Sequence, residues 1–145
     1  MPPLRMPLRL SWAGWLAFCA FAVLLLALGL GWRDPWPADE PRFALNAIEM
    51  LVTGDFWIPH RGGELYADKP PIFMWASALG IWLTGSMRIG FLLPSLLAGL
   101  GTLALIVDLS RRLYGPRIGL LAGIATLATL QFVLQAKTAQ IDMLL

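Results

Sequence analysis

A chain of 145 residues that is 58% apolar, with seven Trp, 14 Gly and a mean hydropathy of +0.69, is too apolar for a soluble domain of its length. A net charge of +2, with no basic stripe interleaved with aromatics, argues against a nucleic-acid partner. The single Cys19 rules out an intrachain disulfide and reads as lipid-facing filler. The composition predicts an all-α integral membrane protein.

Three uncharged runs, 10–32, 89–107 and 118–136, each reach the ~20 residues that cross a bilayer. Arg5 and Arg9 before the first run resemble the n-region of a signal peptide. Its apolar core exceeds the ~7–15 residues of an h-region, so it is expected to remain as an anchor. A fourth run, 71–87, has 17 uncharged residues, at the short edge where a re-entrant or interfacial helix competes with a crossing.

Charge placement fixes the topology. Residues 33–69 hold seven of the nine acids, Asp34, Asp39, Glu40, Glu49, Asp55, Glu64 and Asp68, against four bases, Arg33, Arg42, Arg61 and Lys69. Arg5, Arg9, Arg111, Arg112 and Arg117 flank the spans, and Lys and Arg resist translocation. The N-terminus and the 111–117 turn are therefore expected inside, and the acidic loop 33–70 outside. Parity then requires 71–87 to lie in or dip into the outer leaflet, as an interfacial or re-entrant helix, with Trp75 and Trp82 on one face as an interfacial belt. If 71–87 crossed, Arg111, Arg112 and Arg117 would face outward, against the charge rule.

Within the outer loop, Pro41 suits a first helical turn and Gly54 a C-terminal cap. Ala44, Ala47, Ile48 and Leu51 fall at i, i+3, i+4 and i+7. This predicts a short amphipathic helix along the membrane surface, with Arg42, Asn46 and Glu49 on its polar face. Asp39 and Glu40 stand at its N-terminal mouth, where free N–H groups favour charged carboxylates. Gly62-Gly63 suits a hairpin turn, and Pro70-Pro71 would fix Asp68 and Lys69 at the membrane boundary. In the later spans Gly119 and Gly123, and Ala98 and Thr102, form small-residue pairs that allow close helix approach. Asp108 with Arg111 and Arg112 reads as a helix-end ion pair, and the lone His60 is assigned no role.

The ordered set Asp39-Glu40-Pro41-Arg42-Phe43-Ala44, Gly54-Asp55-Phe56-Trp57-Ile58-Pro59 and Asp68-Lys69-Pro70-Pro71 resembles the first outer loop of the protein O-mannosyltransferase and aminoarabinose transferase superfamily. Arg88 with Pro94-Ser95, and Ile141-Asp142-Met143, continue the resemblance over nearly the whole chain. It implies the N-terminal part of a multi-span C-type glycosyltransferase fold that transfers a sugar from a polyprenyl-phosphate donor to an acceptor on the outer face. Members are several hundred residues long, so the chain is expected to be a fragment without turnover of its own. By the resemblance, Asp39 is the catalytic base and Asp142 the second catalytic acid. Arg42 and Lys69 hold the donor phosphate, and Asp68 sits where some members bind a divalent metal ion. Glu40 and Tyr66 are supporting candidates.

The chemistry agrees with these roles. A hydroxyl attacking an anomeric carbon needs a carboxylate within reach, and a departing lipid phosphate needs cations. Arg42 offers a bidentate clamp and Lys69 a point charge. Each residue also has a plainer reading: Asp39 and Glu40 as helix caps, Arg42 as a solvated charge, Asp68 and Lys69 as an interfacial salt bridge, Asp142 as a polar residue leaving a span. Membrane lipid and the lipid-linked sugar are the implied partners, and a bacterial inner membrane the implied location. A non-catalytic scaffold or a lipid-linked sugar transporter are the competing classes, although a transporter would place charges inside a span.

Overall fold

The computed structural model describes residues 11–32, 34–36, 39–66, 69 and 71–141. Asp68 and Asp142 lie outside these residues. The elements run α1 (Trp12–Ala27), α2 (Glu40–Thr53), β1 (His60–Arg61), β2 (Glu64–Leu65), α3 (Ile72–Thr84), α4 (Met87–Gly90), α5 (Leu93–Tyr114), α6 (Pro116–Ala128) and α7 (Leu130–Lys137).

Among the described residues the first apolar run is helical over Trp12–Ala27, started by the Ser11 hydroxyl accepting the Gly14 N–H at 3.2 Å. Turns follow at 28–32, where Gly29 and Gly31 take positive φ. α4 and α5 together form a near-continuous 28-residue helix, Met87–Tyr114, the one described helix long and apolar enough by itself to cross a membrane. The run expected at 118–136 is two helices, α6 and α7, bent by 70° at Thr129. No Pro or Gly stands at the bend. Thr126 and Thr129 donate their hydroxyls to the carbonyls of Ala122 and Ala125, four residues back, and such bonds bend helices. The bend aims α7 across α5 and α1.

Glycine contacts give the direction of each helix. A Cβ on Gly119 would sit 2.7 Å from Arg111 Cβ, and one on Gly123 2.6 Å from the Phe18 ring and 2.7 Å from Val107. α6 therefore runs antiparallel to α5, with the Arg111–Arg117 turn at the end of the bundle where α1 begins. Of the two small-residue pairs, Gly119 and Gly123 are buried in this crossing, whereas Thr102 is exposed. Gly119→Ala should lower the thermal midpoint of the full-length protein. Gly101→Ala, whose Cβ meets nothing within 4 Å, should raise it slightly through the ~1 kcal/mol helix preference of Ala over Gly. Equal shifts in a detergent melting assay would refute this packing.

Two apolar clusters divide the molecule. One, between α1 and the bundle, holds Ala22, Leu26, Leu96, Leu103, Leu127 and Ala136. The other, at the opposite end from the Arg111–Arg117 turn, joins Phe43, Ala44 and Met50 of α2 to Phe73 and Met74 of α3, then Phe91, Leu92 and Ala139. α3 leaves this second cluster, turns at Gly85 (φ +63°), and α4 returns to it. With 13 residues, α3 is about 20 Å long at 1.5 Å per residue, against a ~30 Å hydrocarbon core.

α2 ends at Gly54 in the left-handed region, as its sequence predicts. Its buried side differs from the predicted one. Phe43, Ala44, Asn46, Ala47 and Met50 are buried, while Ile48 and Leu51 are half-buried. Asn46, expected on the polar face, is wholly buried, with its Nδ2 3.7 Å from the Met74 sulfur. The helix packs on α3, whose Phe73 meets Phe43 edge-on at 5.3 Å, and that partner selects the stripe.

Candidate active site

The loop around α2 is braced on three sides. Gly62 and Gly63, both with positive φ, turn the expected hairpin, with His60 opposite Leu65 and Arg61 opposite Glu64. Glu49 Oε1 accepts the Gly62 N–H at 2.6 Å and so ties the hairpin to α2. Trp75 donates its indole N–H to the Phe56 carbonyl at 2.6 Å and packs edge-on against Trp57. Trp75 is thus an anchor for the loop while still 38% exposed, and Trp82 is 69% exposed.

Asp39 occupies the N-cap of α2, but its carboxylate makes no capping bond. Its main-chain carbonyl accepts the N–H groups of Arg42 and Phe43 instead. The side chain is 70% exposed and lies 3.5 Å from the Arg42 guanidinium, itself 47% exposed. An exposed pair at that distance contributes only about 0–1 kcal/mol, so a ligand can separate it at little cost. The capping role that would explain Asp39 without function is therefore not one its side chain performs.

Glu40 is different in kind. Only 4% exposed, it accepts the Trp36 N–H on Oε2 at 2.5 Å and the Ala139 N–H on Oε1 at 2.8 Å. The second bond joins residues 99 apart in sequence. It sets the segment after α7 against the N-terminus of α2. Ala139 is fully buried there, Ile141 packs on the same cluster, and the buried Ser95 hydroxyl accepts the Gln140 N–H at 3.3 Å.

Tyr66 packs against the same cluster, with the Arg61 guanidinium 5.4 Å from its ring centre. Lys69 is exposed and makes no ion pair or hydrogen bond with the described residues. Arg88, singled out by the sequence, pairs with Asp34 at 3.0 Å across the start of the loop. Asp108 pairs with both Arg111 and Arg112, as expected of a helix-end cluster. The structure therefore brings Asp39, Glu40 and Arg42 together with the segment leading to Asp142. The expected salt bridge of Asp68 with Lys69 falls outside the described residues. Among those residues no three His, Cys, Asp or Glu side chains converge to hold a metal ion.

Sequence reasoning did not anticipate the burial of Asn46 or the role of Ser95 in holding the 138–140 segment. An apolar groove of about 470 Å³ between α1 and α5, lined by Phe18, Cys19, Leu103 and Val107, reaches Asp108 and Arg111 at the other end of the bundle. It is separate from the Asp39 region.

Residues 68–145 match the family model of the dolichyl-phosphate-mannose-protein mannosyltransferases. The chain is 37% identical over 115 residues to the undecaprenyl phosphate-alpha-4-amino-4-deoxy-L-arabinose arabinosyl transferase of Edwardsiella ictaluri, covering 76% of this chain and 20% of that protein. A Pseudomonas fluorescens protein of the same description is 34% identical over 130 residues, covering 85% of this chain and 24% of its own length. The fold matches ArnT from Cupriavidus metallidurans bound to undecaprenyl phosphate with a TM-score of 0.86 at 29% identity, over 92% of this chain and 25% of that one. The chain thus spans about a fifth to a quarter of the length of these relatives. Its helical architecture is that of the matching part of a membrane glycosyltransferase, and the protein is an integral membrane protein. Matched from residue 68 to its last residue, this chain belongs to the dolichyl-phosphate-mannose-protein mannosyltransferase family.

Proposed function

We propose that the full-length protein transfers a sugar from an undecaprenyl-phosphate-type carrier to an acceptor hydroxyl at the outer face of a bacterial inner membrane. The observation that carries this reading is the bond from Ala139 N–H to Glu40, which draws the approach to Asp142 to the helix mouth where Asp39 is exposed.

In the proposed reaction the Asp39 carboxylate takes the proton of the acceptor hydroxyl as its oxygen bonds to the anomeric carbon. The bond from that carbon to the phosphate oxygen breaks, and the electron pair leaves with the lipid phosphate. Arg42 and Lys69 stabilise the charge that develops there, and Asp142 is the second acid of the pocket. A divalent ion at Asp68 would need further donors from the remainder of the longer protein, and no step here depends on it.

The basic turn at Arg111, Arg112 and Arg117 shares one end of the bundle with the start of α1, and the acidic loop lies at the other. The charge rule supports a cytoplasmic basic end. Trp32, Trp36 and Trp57, all strongly exposed near the loop end, suit the opposite headgroup layer.

The names of the relatives choose the first donor to test, undecaprenyl phosphate-linked 4-amino-4-deoxy-L-arabinose, with lipid A as acceptor. Purified full-length protein should release undecaprenyl phosphate only when acceptor is present, as read by mass spectrometry. Lys69→Ala should weaken capture of undecaprenyl phosphate about tenfold or more, the weight of a charge-assisted hydrogen bond. No release with any lipid-phosphate sugar, or unchanged capture by the Lys69 variant, would count against the reading.

A further inference from the structure

Side chains from two different helices catch two successive peptide N–H groups just before Asp142. Glu40 of α2 takes Ala139, and Ser95 of α5 takes Gln140 at 3.3 Å, sharing that N–H with the Thr138 carbonyl at 3.0 Å. The 138–140 segment has left the helix, so these N–H groups have lost their i−4 carbonyl partners; Gln140 finds a main-chain acceptor in Thr138, whereas Ala139, buried, depends on the Glu40 carboxylate. Burying a carboxylate is expensive, and an apolar residue with a water-bridged segment would hold the fold at lower cost. What a carboxylate offers is two acceptor oxygens on one rigid fork. One holds the main chain at Trp36, three residues before Asp39, and the other holds Ala139, three residues before Asp142. A glutamine cannot replace it, because its amide nitrogen would face one of the two N–H groups.

We infer that Glu40, assisted by Ser95, is a positioning residue that holds the chain leading to Asp39 against the chain leading to Asp142. This rests on the reading that the two aspartates share one pocket. The Glu40 fork fixes both approach segments relative to each other, and the exposed Asp39 side chain contributes nothing to that fixation. A misplacement of about 1 Å between reacting groups costs roughly 100-fold in rate.

The test uses the full-length protein in membranes. Glu40→Gln should lower kcat for lipid-phosphate sugar about 30- to 100-fold. The KM for the donor should stay within about threefold, since the donor cations are untouched. Ser95→Ala should lower kcat several-fold in the same pattern. A second readout needs no turnover. In a Cys19→Ser background, Asp39→Cys with Asp142→Cys should cross-link through a short bifunctional thiol reagent, and adding Glu40→Gln should slow that at least fivefold with the thermal midpoint preserved.

Wild-type kcat and cross-linking in the Glu40→Gln protein would overturn the inference. So would failure of both Glu40→Gln and Glu40→Asp to accumulate in the membrane, which would assign Glu40 to folding alone. If instead Asp39→Asn leaves transfer intact, the catalytic reading fails, while the cross-linking rate still reports on the Glu40 fork.

Discussion

Asp39→Asn in the full-length protein is expected to lower sugar transfer by about 10²–10⁴-fold, the range lost with a general base, while membrane level and thermal midpoint stay near wild type. The structure gives the reason for the second half. The Asp39 carboxylate caps nothing, is largely exposed, and has one ion pair at 3.5 Å, to Arg42. An exposed pair of this kind contributes at most about 1 kcal/mol. Asparagine keeps the shape and the main-chain carbonyl that starts α2, so the helix survives while the proton acceptor is lost. Asp39→Glu shifts the carboxylate outward by one methylene and should retain partial activity. Release of undecaprenyl phosphate and a melting curve on the same membranes check both halves. An Asn variant with unchanged turnover would remove Asp39 from the chemistry.

The neighbouring residue reverses this balance. Glu40 carries the structural bonds that Asp39 lacks, although the two stand side by side at one helix mouth with the same formal charge. From sequence they are equivalent cap candidates. What separates them is the helix phase: position 40 falls on the stripe continued by Phe43, Ala47 and Met50 and turns inward, while position 39 precedes the first turn and turns out.

Much of the loop was legible because local rules govern it. Pro41 near the start of α2, Gly54 in the left-handed cap and Gly62-Gly63 in the hairpin are backbone constraints, and each acts where the sequence puts it. Charge placement likewise anticipated which ends of the helices lie together. The sequence misread what depends on a partner. Ala44, Ala47, Ile48 and Leu51 are an acceptable apolar stripe for a helix lying on lipid, but α2 lies on α3, and the large Phe43 and Met50 rotate the buried face so that Asn46 goes in. The break at Thr129 was equally hidden, since threonine inside an apolar run reads as span until its hydroxyl bonds are seen. Ser95 is recognisable only when Gln140 arrives beside it.

The largest effect on folding is expected at the crossing of α3 and α4. A Cβ on Gly80 would lie closer than 3.0 Å to the Gly90 carbonyl oxygen, and one on Gly90 closer than 3.0 Å to main-chain atoms of Gly80 and Ile81. Here both obstacles are backbone, unlike Gly123, where the Phe18 and Val107 side chains can shift. Gly90→Ala must therefore push α4 off α3, at a cost above the ~1–3 kcal/mol usual for an overpacked core. The displacement would spread through Phe91 and Leu92 to Phe73 and Met74, on which α2 rests, and so to the Glu40 fork. Gly90→Ala is expected to lose thermal stability and transfer together. That pairing distinguishes it from Asp39→Asn, which loses transfer alone, and from Gly101→Ala, which loses neither. A Gly90→Ala protein that melts and turns over like wild type would mean that the two backbones do not meet there, and the short α3 would no longer be held as a returning hairpin beneath the site.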